Sequence, residues 1–287
     1  MDPGAILGSA AILGGVGLTF ATVIAVCHRK LKVWEDPRID AVTGLLPGAN
    51  CGACGSAGCR NFAERLVGGK AQPAACTVMN DDGRMAVASY LGVGVGDAVK
   101  RVARLMCAGG SDVARQQAEY RGHPSCAAAA AVSTGGKGCA WGCMGLADCA
   151  RSCDFDAIRM GPTGLPVVDP AKCTACGDCV VACPKDLFVV LPVTRRLLVQ
   201  CRSAMEGDAA EALCRAACTA CGRCVQDAKP GLIQIANGLA VVDPSRPDLE
   251  SPDATKRCPT GAIVWCEGAQ FASPRTVPAA AKELVTS

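Results

Sequence analysis

The chain opens with its longest apolar run. Pro3 to Cys27 carries no charged side chain, and a helix of that length spans the roughly 30 Å hydrocarbon core of a bilayer. Only Asp2 precedes the run, whereas His28, Arg29, Lys30 and Lys32 follow at once. A cleavable signal peptide has its positive charge first and a shorter apolar core, so the pattern predicts a single-pass anchor. The positive-inside rule then sets everything after residue 28 on the cytoplasmic side of the plasma (inner) membrane. A short linker with Pro37 and Pro47 follows, and a stretch from about 81 to 135 is rich in alanine and glycine. Further on, one short segment is used twice. Gly164-Leu165-Pro166-Val167-Val168-Asp169-Pro170 returns as Gly238-Leu239-Ala240-Val241-Val242-Asp243-Pro244. This predicts two copies of a small α+β module of short hairpins and helices.

Composition says what such modules are built on. Aromatic residues are only 3%, which leaves few large side chains for a broad core, while 22 of 287 residues are cysteine. Abundant cysteine means either a disulfide scaffold in an oxidising compartment or metal ligation in a reducing one. Cytoplasmic placement favours thiolate ligands. The formal charge of +3 makes no case for nucleic acid, and with His28 and His123 as the only histidines the chain is poorly equipped for imidazole acid–base chemistry. There is no Gly-x4-Gly-Lys-Ser/Thr phosphate loop, and Gly92, Gly94 and Gly96 read as a turn or loose helix start rather than as a dinucleotide fingerprint.

The cysteine spacings carry the chemistry. Cys173-x2-Cys176-x2-Cys179-x3-Cys183-Pro184 is the run that wraps a four-iron cluster, its fourth cysteine ligating the other cluster of a two-cluster ferredoxin. Its upstream partner is Cys139-x3-Cys143-x5-Cys149-x3-Cys153. Crossed ligation then groups Cys139, Cys143, Cys149 and Cys183 on one cluster, and Cys153, Cys173, Cys176 and Cys179 on the other. The second copy keeps Cys218, Cys221, Cys224 and Cys258-Pro259, with Ala228 at the place of the fourth cysteine and Pro247 at that of Cys173. All the missing ligands belong to one cluster, so a single cluster on Cys218, Cys221, Cys224 and Cys258 is expected. The first block, Cys51-x2-Cys54-x4-Cys59-x16-Cys76, suits a four-iron cluster or a zinc ion. Cys107, Cys126, Cys201 and Cys214 either converge on a further cluster or zinc, or are ordinary buried thiols. Cys27 and Cys266 have no local partner and read as inert.

These motifs together resemble the B subunit of the Rnf complex, the membrane-bound ion-translocating ferredoxin:NAD oxidoreductase. The resemblance covers residues 1 to about 267. It rests on the N-terminal helix, on Leu46-Pro47-Gly48-Ala49-Asn50-Cys51-Gly52-Ala53-Cys54-Gly55, and on Glu119-Tyr120-Arg121-Gly122 before Cys126. It rests also on Gly142-Cys143-Met144-Gly145-Leu146 leading to Cys149, and on the ferredoxin repeats. The resemblance implies a four-iron cluster in the first block, docking on membrane and peripheral sister subunits that carry flavins and the nicotinamide site, and electron exchange with soluble ferredoxin. It makes the chain a subunit of a translocase with no bond chemistry of its own. Longer relatives keep a second cluster in the C-terminal module, and this chain departs there. The alternatives are a membrane-tethered structural zinc scaffold, or an electron-transfer subunit of another membrane complex such as a hydrogenase.

The expected architecture is α+β. A transmembrane anchor with a basic flank (1–34) leads to a four-cysteine iron–sulfur domain (35–90) and a connecting segment (91–135). A two-cluster ferredoxin-like module (136–200), a degenerate one-cluster module (201–267) and a tail (268–287) follow. Four [4Fe-4S] clusters are expected, with a fifth if the leftover cysteines converge. Lys172, Lys185, Arg195 and Arg196 lie near the best ferredoxin motif and offer either a face that steers an acidic ferredoxin or a merely solvated basic surface.

Overall fold

The computed structural model describes residues 3–31, 35–97 and 99–271, so the tail beyond 271 lies outside the described residues. Helix α1 (Pro3–Lys30) is continuous over 28 residues, about 42 Å at 1.5 Å per residue. Its portion Ala11–Lys30 is long and apolar enough to cross a membrane, and none of it is buried against the rest of the chain.

The next unit is helical. Helix α2 (Pro37–Leu45) starts on the Asp36 cap with proline in its first turn, where the missing N–H costs nothing. Helix α3 (Cys59–Val67) follows, and α4 (Asp81–Leu91) is capped by the Asn80 side chain and closed by left-handed Gly92. Gly92 therefore serves a helix end, as the turn reading expects. Val42, Phe62, Leu66, Met79, Val87 and Cys76 form the core between these helices.

Residues 91–135 do more than connect. Strand β1 (Arg101–Leu105) pairs antiparallel with β4 (Phe188–Pro192), with Val102 opposite Leu191 and Leu105 opposite Phe188. Only α5 (Cys126–Val132) of this stretch is helical after α4. Between the β1 and β4 partners lies a repeating pattern. Helix α6 (Asp148–Arg151) precedes the hairpin β2 (Ile158–Met160) and β3 (Pro166–Val168), and α7 (Asp178–Ala182) precedes β4. The pattern continues with β5 (Leu197–Val199), α8 (Gly207–Leu213), α9 (Arg223–Asp227) and the hairpin β6 (Ile233–Ala236) and β7 (Leu239–Val242). The repeated glycine-led segment thus forms the turn and second strand of each hairpin. Strand β8 (Ile263–Trp265) returns to pair with β5, so residues 197–199 are in register with the C-terminal copy.

Two contacts close the fold. Gln270, which the sequence reading sets in the tail, is buried: it accepts from Leu105 N–H at 2.9 Å and donates to Leu105 C=O at 3.0 Å. Arg195, expected on a basic face, is instead buried, its Nε 2.6 Å from Glu250 Oε1 without the alignment of a hydrogen bond. Glu250 Oε2 accepts from the Arg196 and Leu197 amides. The pair locks the start of β5 to the loop before β8. Removing one partner of a buried pair strands the other charge at a cost of about 3–5 kcal/mol. Glu250→Ala should therefore lower the thermal unfolding midpoint of the intact protein markedly, whereas the exposed Lys256–Asp253 pair can be removed with little change.

Candidate metal centres

Sites are set by where the backbone lets sulfur converge. In the loop from Cys173 to Cys179, Ala175 and Gly177 both take left-handed backbone conformations (φ 61° and 97°). Ala220 and Gly222 do the same between Cys218 and Cys224 (φ 55° and 72°), and Gly145 and Ala147 do so between Cys143 and Cys149 (φ 75° and 66°). Alanine rarely adopts such angles, so the three loops share one turn. Superposed by that turn, Cys143 matches Cys173, Cys149 matches Cys179, and Leu146 stands where Cys176 would. From Cys143 to Cys149 the first loop keeps the length of the other two. Its central cysteine is replaced.

A further sulfur reaches this loop from α5. Cys126 shares a cavity with Cys143, Cys149 and Cys183, held there by Asp148, whose Oδ2 accepts from the Ser125 hydroxyl and the Ala127 amide, both at 2.9 Å. Burial alone would raise the Asp148 pKa, but these bonds, with those from the Cys126 amide and Arg151, outweigh it and hold the carboxylate below its ordinary value. The grouping of Cys139 with Cys143, Cys149 and Cys183 is thereby corrected. Cys139 lies ahead of the loop and lines a separate cavity with Cys107, Cys201 and Cys214. The fourfold grouping of Cys107, Cys126, Cys201 and Cys214 is corrected in the same way, by exchange of Cys126 for Cys139.

The other sets are gathered as the sequence groups them. Cys153, Cys173, Cys176 and Cys179 surround one cavity; Cys218, Cys221, Cys224 and Cys258 a second; Cys51, Cys54, Cys59 and Cys76 a third. Twenty of the 22 cysteines therefore line five cavities, four to each. Cys27 is exposed on α1, and Cys266 is buried against Arg104, which donates to its sulfur at 3.5 Å.

Amide donors face the sulfurs. Ala157 N–H reaches Cys153 Sγ at 3.4 Å and Leu187 N–H reaches Cys183 Sγ at 3.5 Å, the same four-residue offset in both halves of the module. Ala103 N–H on β1 reaches Cys173 Sγ at 3.5 Å. Burial, and secondarily the neighbouring thiols, pushes Cys143, Cys149, Cys179 and Cys214 up to about 12 and Cys224 up to about 11. Ligation must supply the positive charge that releases the thiol protons.

The cavities fit a polynuclear group better than a single ion. Four thiolates on one zinc at 2.3 Å would stand only about 3.8 Å apart. Among the described residues no three His, Cys, Asp or Glu side chains converge as ligands of one metal ion do. Each set of four instead lines a cavity of about 10 to 20 Å³ that opens to solvent.

The sites are also adjacent. Thr77, next to Cys76, donates to the carbonyl of Thr174, next to Cys173, at 2.6 Å. Cys179 lies close enough to Cys149 for its charge to be felt there. Around them the basic face is smaller than the sequence suggests. Lys172 pairs with Asp156, Arg196 pairs with Glu267 and stands over the Trp265 ring, and Lys185 lines the Cys126 cavity.

Comparison with known proteins agrees with this geometry. A family model for an Fe-S cluster matches residues 46–78, the loop and helices around Cys51–Cys76. A 4Fe-4S binding domain matches residues 165–188. The B subunit of the Na(+)-translocating ferredoxin:NAD(+) oxidoreductase complex of Acetobacterium woodii is 41% identical over 259 residues, 90% of this chain and 78% of that protein. The B subunit of the ion-translocating oxidoreductase complex of Methanosarcina acetivorans is 34% identical, over 83% of this chain and 90% of that protein. The B subunit of the proton-translocating ferredoxin:NAD(+) oxidoreductase complex of Clostridium ljungdahlii is 36% identical, over 86% of this chain and 88% of that protein. With similarity running over most of both chains in each case, the chain belongs to the family of B subunits of Rnf-type ion-translocating oxidoreductase complexes.

Proposed function

We propose that the chain is a membrane-anchored electron wire. On this reading four-iron clusters are held by Cys51, Cys54, Cys59 and Cys76, by Cys153, Cys173, Cys176 and Cys179, by Cys126, Cys143, Cys149 and Cys183, and by Cys218, Cys221, Cys224 and Cys258. When bound, such clusters exchange single electrons at potentials set by net charge, hydrogen bonds to sulfur and exposure. The observation that carries the reading is the adjacency of buried four-cysteine cavities lined with amide donors. The chain's own residues fix the sulfurs, keep water out and bring neighbouring sites together.

The relatives' names supply the partners: other subunits of an ion-translocating complex and, by the names of two of them, ferredoxin and NAD(+). We place soluble ferredoxin at one end of the wire and flavin- and nicotinamide-bearing subunits at the other, with no substrate bond made or broken here. The basic residues in the last turn of α1 favour the bulk of the chain on the cytoplasmic side. The unit around Cys51, the two-cluster module and the one-cluster module remain our division of the cytoplasmic part.

Anaerobically purified protein should be brown and contain iron with matching acid-labile sulfide, at least roughly sixteen of each at four per cluster. Colourless protein with zinc in place of iron would sink the wire. Because cysteines sit in every major core, stripping the iron should abolish protease resistance across residues 136–267. A protease-resistant iron-free protein with unchanged circular dichroism would count against this.

The shared turn gives a sharper check on ligand assignment. Cys126→Ser should cost the cluster of its site, seen as a loss of iron, and Leu146→Cys in the same chain should restore it by returning a cysteine to the centre of the loop.

A further inference from the structure

The cavity at the junction of the two modules holds four cysteines that no ferredoxin spacing groups. Cys107 follows β1, Cys139 precedes the first loop, Cys201 follows β5, and Cys214 ends α8. Cys107, Cys139, Cys201 and Cys214 are all buried, and every one of their sulfurs faces a backbone donor. Cys143 N–H reaches Cys107 Sγ at 3.4 Å and Ser203 N–H reaches Cys201 Sγ at 3.4 Å. Cys139 receives the Trp141 and Gly142 amides, Cys214 that of Ala216, and Cys201 also that of Cys218. Gly109 keeps the wall open. A methyl group there would lie 3.2 Å from Cys214 Sγ and 3.6 Å from Cys107 Sγ.

A second observation points to what the cavity takes. Lys137 lines it and is only 5% exposed. Its ammonium donates to the carbonyls of Gly109 and Cys143, and no carboxylate lies within ion-pair distance of it among the described residues. A buried cation without a counter-charge is costly. A group carrying several thiolates would supply that charge at the same place.

We propose that Cys107, Cys139, Cys201 and Cys214 hold a fifth four-iron cluster, and that Lys137 positions its charge to favour the reduced form. The inference rests on reading the other sites as clusters and extends it. The site is one hydrogen bond from each neighbour, through Cys143 N–H to the Cys126 site and through Cys218 N–H to the Cys218 site. One electron enters as a reduced neighbouring cluster is oxidised, and leaves as the next is reduced; no bond is made and no proton need move. Without this site the C-terminal cluster would hang off the wire. With it, the five sites form one connected series.

The test uses the full-length chain, purified anaerobically in detergent, with iron, sulfide and zinc counted beside a redox titration followed by electron paramagnetic resonance. Wild type is expected to hold roughly twenty irons at four per cluster. Cys214→Ser should lose about a fifth of them and one reducible signal. Lys137→Met should keep the full iron content and move that signal to lower potential, while Lys137→Arg leaves it in place. Roughly sixteen irons in wild type would overturn the fifth site while leaving the wire intact, even if the serine variant fails to fold. An unchanged iron content and spectrum in a folded Cys214→Ser protein would overturn it equally. Zinc throughout would overturn both readings together.

Discussion

Sulfur held at a cavity wall by backbone amides is the interaction on which the chain after α1 depends. The apolar side chains are mostly alanine, valine and leucine, and each main core is a thin layer between cysteines. Cys201, Cys214, Cys218 and Cys224 belong to the C-terminal core, Cys107, Cys149 and Cys179 to the central one, and Cys76 to that of the first unit. Small units of this kind bury too little surface to be robust alone. With clusters bound, the groups that define function would also carry much of the folding free energy. The left-handed alanines at 147, 175 and 220 are strain that such ligation offsets.

What the sequence makes legible follows from how local each ligand set is. Three of the four sulfurs on the Cys153 and Cys218 sites come from one tight loop, and the structure gathers them as their spacing suggests. The set around Cys126 is not legible by counting cysteines, because proximity along the chain draws Cys139 into a loop it only precedes. The signal that finds Cys126 is positional. Leu146 occupies the centre of a loop whose flanking residues repeat the Cys173 and Cys218 loops.

Other misreadings have the same character. Strand β1 hides because Arg104 is buried within it and directs its polarity to Gly268 C=O and Cys266, so no apolar alternation marks the strand. The alanine- and glycine-rich stretch from 91 to 135 reads as filler, yet it delivers Cys107, Cys126 and the strand that covers Cys173. Arg195 reads as surface because its charge partner, Glu250, is distant in sequence. In each case the deciding contact joins residues that no local pattern connects.

The ligand sets differ in how much chain must be organised before they close. The Cys173 loop brings three sulfurs together within seven residues, whereas the junction cavity draws on β1, β5 and α8, so its closure waits on elements from both modules. Ordering so long a stretch must be complete before the last sulfur arrives. Assembly is therefore hierarchical, with local loops able to close early and the junction able to close only on a finished protein. With a cluster at the junction this would be a proofreading point for biogenesis: a chain with either module misfolded would leave it open and its two halves unconnected.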